Sequence, residues 1–180
     1  HAQPQRIVLL YQDELTYYRR PSVARAYAPV ATHQPLAHLG YRPNQKRRIS
    51  GSLNAVTGQF HAHQLARFGV AQLQRYYQQL EAAYPDAERI YLVQDNWPVH
   101  RHPDLLTFFS TSRLSPLWLP TYAPWTNPTE KVWLRLKQEV LHLHDFADDW
   151  LDLQAAVAHW LALWQQPSLD LLHYVGLTPY

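Results

Sequence analysis

The chain has 180 residues, of which 47% are hydrophobic, and a formal net charge of +2 at pH 7. This length suits one domain with a sizeable core, and no apolar stretch approaches the roughly 20 residues that cross a bilayer. We therefore expect a soluble, cytoplasmic protein without a membrane partner. The absence of cysteine excludes disulfides, thiolate nucleophiles and cysteine-ligated zinc.

Three strands and a helix are predicted in the first half of the chain. The short apolar run within residues 6–14 indicates a buried strand. Residues 47–56 and 59–65 indicate a hairpin whose turn contains Thr57-Gly58. Residues 70–84 carry apolar side chains three and four positions apart, a spacing that predicts an amphipathic helix.

Two further strands alternate with helices in the second half. The predicted elements are a strand at 89–95, a short helix at 103–112 and a strand at 114–119. A loop with three prolines follows, after which Asn127 is expected to cap a helix that has Pro128 first and runs to about residue 144. A last helix from about 149 to 165 is apolar on one side and is expected to pack on the core. This order predicts an α/β fold.

Three acidic residues stand at matching places in these elements. Asp13 and Asp95 are placed at the ends of predicted strands, and ligands of open α/β sheets bind beyond the carboxyl ends of strands. Glu130 is placed on the first turn of a helix. Two alternatives stay open: Glu130 is also at the position of a capping-box glutamate, and Asp95 is also a candidate turn former.

The sequence around these acids resembles that of a known family. The strings are Tyr11-Gln-Asp-Glu14, Gln94-Asp-Asn-Trp-Pro-Val-His100 and Leu119-Pro-Thr-Tyr-Ala-Pro-Trp-Thr-Asn-Pro-Thr-Glu-Lys-Val-Trp133. They resemble the Asp-Asp-Glu transposases of bacterial insertion sequences related to the mariner elements, in which 34 residues between the second and third acids, as between Asp95 and Glu130, are expected. One departure is Trp125-Thr126, where relatives commonly carry an acidic residue followed by Leu.

The resemblance implies an RNase H-like fold with a five-stranded mixed sheet flanked by helices and a C-terminal helical extension. The first and fourth strands would be parallel neighbours and bring Asp13 and Asp95 together, with Glu130 completing the catalytic triad. The three carboxylates would bind two Mg²⁺ or Mn²⁺ ions, which are hard cations that prefer oxygen ligands. Such a pair supports in-line displacement at phosphorus.

The implied function is DNA cleavage at transposon ends and strand transfer into target DNA, by a homodimer in a nucleoid-associated location. The aromatic residues of the last helix are candidates for dimer contacts. Such transposases generally also carry an N-terminal helix-turn-helix region, which this sequence lacks, so residues 1–180 are expected to be the catalytic domain alone. The alternatives are a nuclease of the same fold, acting on RNA–DNA hybrids or branched DNA, and a non-catalytic DNA-binding remnant.

Several residues are candidates for supporting roles. Asp13 is preferred over Glu14 as the first acid because it comes first in the family's acidic pair, while Glu14 and Asn127 remain supporting candidates. Asn96 and His100 are candidates to orient the carboxylates, with turn formation and a structural histidine as the alternatives. Candidate DNA contacts, each also readable as solvated surface, are Arg19, Arg20, Lys46, Arg47, Arg48, Lys131 and Arg135.

Other polar clusters have simpler interpretations. The histidines His61 and His63, and the group His142, His144 and Asp145, have zinc-ligand chemistry but lack a convincing further ligand. Acidic residues at a helix start complement the helix dipole. The group of Asp148, Asp149 and Asp152 is therefore interpreted as helix caps.

Overall fold

A five-stranded mixed sheet forms the centre of the computed structural model, which describes residues 6–23, 35–121 and 124–177. The strands are β1 (Ile7–Tyr18), β2 (Lys46–Asn54), β3 (Phe60–Leu65), β4 (Arg89–Gln94) and β5 (Leu114–Trp118), in the order β3-β2-β1-β4-β5. The pairs β1–β2 and β2–β3 are antiparallel, whereas β1–β4 and β4–β5 are parallel. The predicted five-stranded mixed sheet is confirmed.

Helices cover both faces of this sheet. They are α1 (Val70–Ala83), α2 (Pro103–Thr111), α3 (Thr129–Leu136), α4 (Trp150–Ala162) and α5 (Leu169–Val175). The side chains of Val8 and Leu10 pack with α1 and α2, whereas those of Leu15 and Tyr17 pack with α3, α4 and α5. This even and odd alternation follows from the period of two along a strand. It sends Asp13 and Glu14 to opposite faces, as predicted.

The first strand is longer than predicted. β1 continues to Tyr18 instead of ending near residue 14, so Asp13 lies within a strand and not at its end. The reason is that β2 pairs with β1 from Leu10 through Tyr18 and satisfies its backbone groups. The parallel pairing of β1 with β4 covers only residues 7–11. Asp13 therefore follows the end of the parallel ladder, although the strand itself continues.

The helical half differs from the prediction in two places. The helix after Asn127 is α-helical only to Leu136 and ends in a π-helical turn, Lys137–Leu141. The helix α5 was not predicted, because seven residues are too few for a periodic signal. It is capped at both ends: the Ser168 side chain accepts a hydrogen bond from the Leu171 backbone N–H, and Gly176 is left-handed with φ 84°.

The last predicted helix, α4, packs on the core as expected. Trp160 is 4% exposed, and Trp150 and Trp164 are half-buried against the same cluster. These aromatic side chains are therefore not exposed, contrary to expectation, and their part in dimer contacts stays a prediction. The capping prediction holds for Asp149, whose side chain accepts the Asp152 backbone N–H at 3.3 Å. Within the described ranges, no helix has both the length and the apolar character of a membrane span.

β3 and β5 are the two edge strands of the sheet. β5 carries Pro116 at its middle, opposite Leu92 of β4. Proline has no backbone N–H to give to a ladder, so it is tolerated at the edge of a sheet and not at its centre.

Candidate active site

The register of the parallel strands aligns two of the three acids. Tyr11 of β1 pairs with Val93 of β4, and extending this register by two residues brings Asp13 level with Asp95. β4 ends at Gln94, so Asp95 is the first residue beyond its carboxyl end. Ligands of open α/β sheets bind beyond the carboxyl ends of the parallel strands, which is where Asp95 lies.

Two side chains fix the start of α3 against the same part of β1. Asn127 is buried and its Nδ2 donates to the Gln12 carbonyl at 3.0 Å, while Thr129 Oγ1 donates to the Tyr11 carbonyl at 2.9 Å. Asn127 Oδ1 also accepts the Thr129 N–H at 3.1 Å, which confirms its predicted capping role. These bonds hold Glu130 on the helical turn beside Asp13.

Glu130 itself is exposed, and within the described ranges its side chain makes no hydrogen bond. A capping-box glutamate would accept the backbone N–H of the cap residue. The alternative in which Glu130 serves as a capping residue therefore has no contact to support it, and its carboxylate is available to a ligand.

Asp13 is held by the core on the α3 side of the sheet. Trp133, one helical turn after Glu130, donates from Nε1 to Asp13 Oδ2 at 3.0 Å. Burial, followed in importance by the charges of Glu130, Glu14 and Asp95, raises the pKa of Asp13 to about 8, although a backbone hydrogen bond lowers it in part. The three predicted triad members therefore interact electrostatically.

His100 joins two carboxylates on the other side. Its Nε2 lies 3.1 Å from Glu14 Oε1 and its Nδ1 lies 3.1 Å from Asp95 Oδ1, and its side chain is 1% exposed. Burial disfavours the protonated ring, yet the hydrogen bonds and charges of Asp95 and Glu14 outweigh it and raise the pKa of His100 to about 10. His100 therefore lies as an imidazolium between Glu14 and Asp95. This position favours the predicted role of orienting the carboxylates over the alternative of a purely structural histidine.

Asp95 and Asn96 both shape the turn after β4. Asp95 Oδ1 accepts the Trp97 N–H at 2.9 Å, the bond of an Asx turn. Asn96 Nδ2 donates to the Leu119 carbonyl just beyond β5, and Arg101 donates to Asn96 Oδ1. Turn formation and proximity to the other acids thus coexist at Asp95, and the hydrogen bond to His100 lowers the pKa of Asp95.

The donor set fits hard divalent cations. Carboxylate oxygens are the protein ligands that Mg²⁺ and Mn²⁺ prefer, and a cation would relieve the repulsion that raises the pKa of Asp13. In the part of the chain that the structure describes, no three acidic, histidine or cysteine side chains converge closely enough to hold a metal ion as they stand. An ion held by Asp13, Asp95 and Glu130 would require the three carboxylates to lie closer together than they do in this structure.

Four of the seven predicted DNA-contacting residues make contacts within the protein. Arg19 is 6% exposed, donates to Gln45 at 2.6 Å and lies over the Trp150 ring. Lys131 Nζ donates to the Val175 carbonyl at 3.0 Å, at the end of α5. These contacts favour structural roles for both side chains.

The other two engaged cations pack on aromatic rings. Arg135 donates to Glu139 at 2.8 Å and stacks 4.6 Å from the Trp164 ring centre. Arg48 lies 5.2 Å from the ring centre of Phe68. Of the remaining three candidates, Arg20 and Lys46 are exposed, whereas Arg47 is half-buried and its charge acts on Tyr17.

The candidate zinc residues bond to neighbouring side chains and backbone instead. His61 Nε2 lies 3.0 Å from the Tyr84 hydroxyl, and His142 Nδ1 lies 2.7 Å from Ser22 Oγ. His144 is buried and accepts a backbone N–H. Among residues 6–23, 35–121 and 124–177, neither group of histidines gathers the three ligands that a metal ion needs.

Sequence reasoning missed the role of Trp133, although the residue is part of the family string. The signal was its position three residues after Glu130, which puts both side chains on one face of the helix. Gln12 and Ser50 were also missed. Both contact Glu14, and an isolated Gln or Ser within a strand carries no pattern that would identify it.

Comparisons with known proteins agree with this arrangement. A family model described as DDE superfamily endonuclease matches residues 8–152. The insertion element IS630 uncharacterized 39 kDa protein of Shigella sonnei is 23% identical over 159 residues, which are 85% of this chain and 44% of that protein. The chain thus spans less than half the length of this curated relative.

Solved structures share the fold. The mariner Mos1 paired end complex with Mn matches with a TM-score of 0.67 and 16% identity, over 94% of this chain and 51% of that one. The catalytic core domain of BIV integrase matches with a TM-score of 0.55 and 15% identity, over 86% and 80%. The predicted RNase H-like fold is confirmed. Because the family model spans most of the chain, including Asp13, Asp95 and Glu130, this protein belongs to the DDE superfamily of endonucleases.

Proposed function

We propose that this chain is the catalytic domain of an insertion-sequence transposase, which cleaves DNA strands at transposon ends and transfers them into target DNA. The observation that carries the proposal is that Asp13, Asp95 and the start of α3 lie together where the parallel pairing of β1 and β4 ends. Family membership and a relative from an insertion element support it. Relatives solved as a paired-end complex and as a strand transfer complex support DNA as the partner.

Asp13, Asp95 and Glu130 would hold two Mg²⁺ or Mn²⁺ ions in this proposal. When bound, such a pair activates the attacking oxygen and stabilises the leaving oxygen at phosphorus. Structures of Mos1 complexes with Mn and with Mg support this choice of ions. No covalent intermediate with the protein is required.

The protein's own residues prepare this site. Trp133 orients Asp13 through Oδ2, and His100 holds Asp95 through Oδ1. Asn127 and Thr129 position the helix that carries Glu130. Because Asp13 holds a proton at neutral pH, its carboxyl would have to lose that proton before it could bind an ion.

The proposal is tested by ion binding and by DNA chemistry on the same variants. Asp13→Asn, Asp95→Asn and Glu130→Gln are each expected to weaken Mn²⁺ binding in calorimetry and to abolish cleavage and joining of transposon-end oligonucleotides. The matched control is Asp86→Asn, which removes an exposed acid before β4, at the opposite end of that strand from Asp95. The control is expected to behave as wild type.

The substrates separate the alternatives. Cleavage of duplex DNA with joining to a second duplex supports a transposase. Cleavage that requires an RNA strand would assign the chain to a nuclease of the same fold. Ion binding without any cleavage, in a full-length protein that binds DNA, would assign it to a non-catalytic remnant.

A further inference from the structure

A pocket of about 290 Å³ lies beside the last residues of β1, beyond the acidic triad. We call it the basic pocket. Its polar lining comes from Thr16, Tyr18, Arg20, Ser22, Lys137 and His142. Tyr17 and Leu141 supply apolar surface. Two separate segments of the chain therefore build it: the end of β1 with the residues that follow, and the π-helical turn after α3.

The basic pocket and the acidic triad lie on the same two elements. β1 continues from Asp13 to Thr16, a distance of about 10 Å at the rise of a β-strand, and α3 leads from Glu130 to Lys137. β4 pairs with β1 only to Tyr11, so the later part of β1 has no strand of the described ranges on that side. This stretch of β1 connects the triad to the pocket.

Charge gives the pocket a preference for anions. Within the described ranges, the Arg20 guanidinium and the Lys137 ammonium group make no hydrogen bond or ion pair, in contrast to Arg19, Lys131 and Arg135. None of the described residues that line the pocket is acidic. His142 adds a third nitrogen-containing side chain, held by Ser22 at 2.7 Å.

We propose that the basic pocket binds the phosphate backbone of the DNA strand that passes through the triad. This inference rests on the proposed function and extends it to the path of the substrate. The separation of about 10 Å between Asp13 and Thr16, which lines the pocket, equals roughly three nucleotide rises along the axis of a duplex. In this proposal Arg20 and Lys137 therefore contact phosphates a few nucleotides from the scissile one. Such contacts set the position of the strand without reading its sequence.

The test is the salt dependence of DNA binding, measured by fluorescence anisotropy with the full chain and a labelled duplex in EDTA, so that no cleavage occurs. Each phosphate contact contributes about one unit to the slope of log K against log salt. The variant Arg20→Gln/Lys137→Gln is expected to lower the slope by about two. Because neither charged group has a partner among the described residues, its thermal unfolding is expected to match wild type.

Two further variants make the result specific. Arg75→Gln/Arg89→Gln removes two exposed cations on α1 and at the start of β4, and is expected to keep the wild-type slope. Arg20→Lys/Lys137→Arg retains both charges and is expected to keep it as well. These controls separate a local phosphate site from a general effect of net charge.

The outcomes distinguish the two proposals. If wild type and Arg20→Gln/Lys137→Gln bind DNA with the same slope of log K against log salt, the basic pocket does not bind phosphates. The proposed function would be unaffected by that result. Equal losses in the Arg75→Gln/Arg89→Gln control also overturn it. A wild-type chain that binds no DNA at any salt concentration overturns the proposed function together with the pocket.

Discussion

Trp133 donates its indole N–H to Asp13 across 3.0 Å and thereby connects the core to the acidic edge. The Trp133 side chain is 1% exposed and meets Phe60 edge to face with 5.3 Å between ring centres. A buried ring has little freedom to move in a close-packed interior. The orientation of Asp13 is therefore set by core packing as well as by its own strand.

Replacing Trp133 by Phe keeps an aromatic ring and removes the donor. We expect the free energy of unfolding to fall by roughly 2 to 4 kcal/mol, because a buried hydrogen bond to a carboxylate is lost and a small cavity is left. Mn²⁺ affinity should fall at least about tenfold, the usual effect of losing a bond that orients a ligand. Urea unfolding and calorimetry measure the two effects.

The control is Trp160→Phe. Trp160 is also buried, and its Nε1 donates to Glu139, away from the triad. This variant should lose stability and keep its ion affinity. Equal ion affinity in both variants would contradict an orienting role for Trp133.

Gly51 lies opposite Asp13 in the β1–β2 ladder and leaves room for Trp133. A Cβ at Gly51 would lie 2.6 Å from the Trp133 ring and also clash with Phe60. Gly51→Ala should therefore destabilise the fold by about 1 to 3 kcal/mol, the usual effect of overpacking, and weaken Mn²⁺ binding. Gly69→Ala, which meets only the flexible end of Gln72, should leave Mn²⁺ binding unchanged. If both variants bind Mn²⁺ like wild type, the space at Gly51 is not needed for ion binding.

The stability of the ion-free protein should fall as pH rises through the range set by Asp13. Burial, with smaller contributions from the neighbouring acids, raises the pKa of this carboxyl to about 8 in the folded chain, from an ordinary value of 3.8. Between these values the folded chain holds a proton that the unfolded chain has lost, so ionisation destabilises the fold until pH exceeds about 8. Relative to Asp13→Asn, wild type should lose about 3 kcal/mol between pH 5.5 and 8.

Urea unfolding of both proteins in EDTA measures this difference, and the variant removes the contributions of other groups. A pH-independent difference would show that Asp13 is ionised throughout. Added Mn²⁺ should reverse the loss in wild type and have no such effect in Asp13→Asn.

His100 and Glu14 should be energetically coupled. The pair is nearly buried, and removing one partner of such a pair leaves an uncompensated charge, at a cost of roughly 3 to 5 kcal/mol. At pH 6, His100→Gln should therefore be strongly destabilising, and the double variant with Glu14→Gln should be more stable than the sum of the single effects predicts. Additive effects would rule out the pairing.

The coupling should depend on pH. The pKa of His100 is raised to about 10 from 6.5, so the stability from its charge is complete below pH 6.5 and is lost between pH 6.5 and 10. Repeating the cycle at several pH values in this range checks that sign. Constant coupling would indicate a neutral ring.

The sheet could be predicted because its signals are local. The apolar run at Ile7–Leu10, the glycine turn at Gly58 and the spacing within α1 each predict an element without knowledge of the rest. The parallel pairing of β1 with β4 was not available from these patterns and came from the family resemblance. The end of β1 was misplaced because Leu15 and Tyr17 are buried by α3 and α4, which are distant in sequence.

The acids of the candidate site were named from sequence motifs, but their supporting bonds were not. The bonds from Asn127 to Gln12 and from Trp133 to Asp13 join positions more than 100 residues apart. The roles of Lys131 and Arg135 depend on α5 and on Trp164, which no local pattern connects to them. Long-range contacts of this kind are set by the packing of the whole fold.

The proline in β5 has a consequence for the protein at high concentration. An outer strand with free backbone groups is a template onto which a strand from another molecule can add. Pro116 interrupts the row of donors on β5, a strand of only five residues. A second molecule therefore finds no continuous ladder to extend on that side, which protects the sheet against edge-to-edge aggregation.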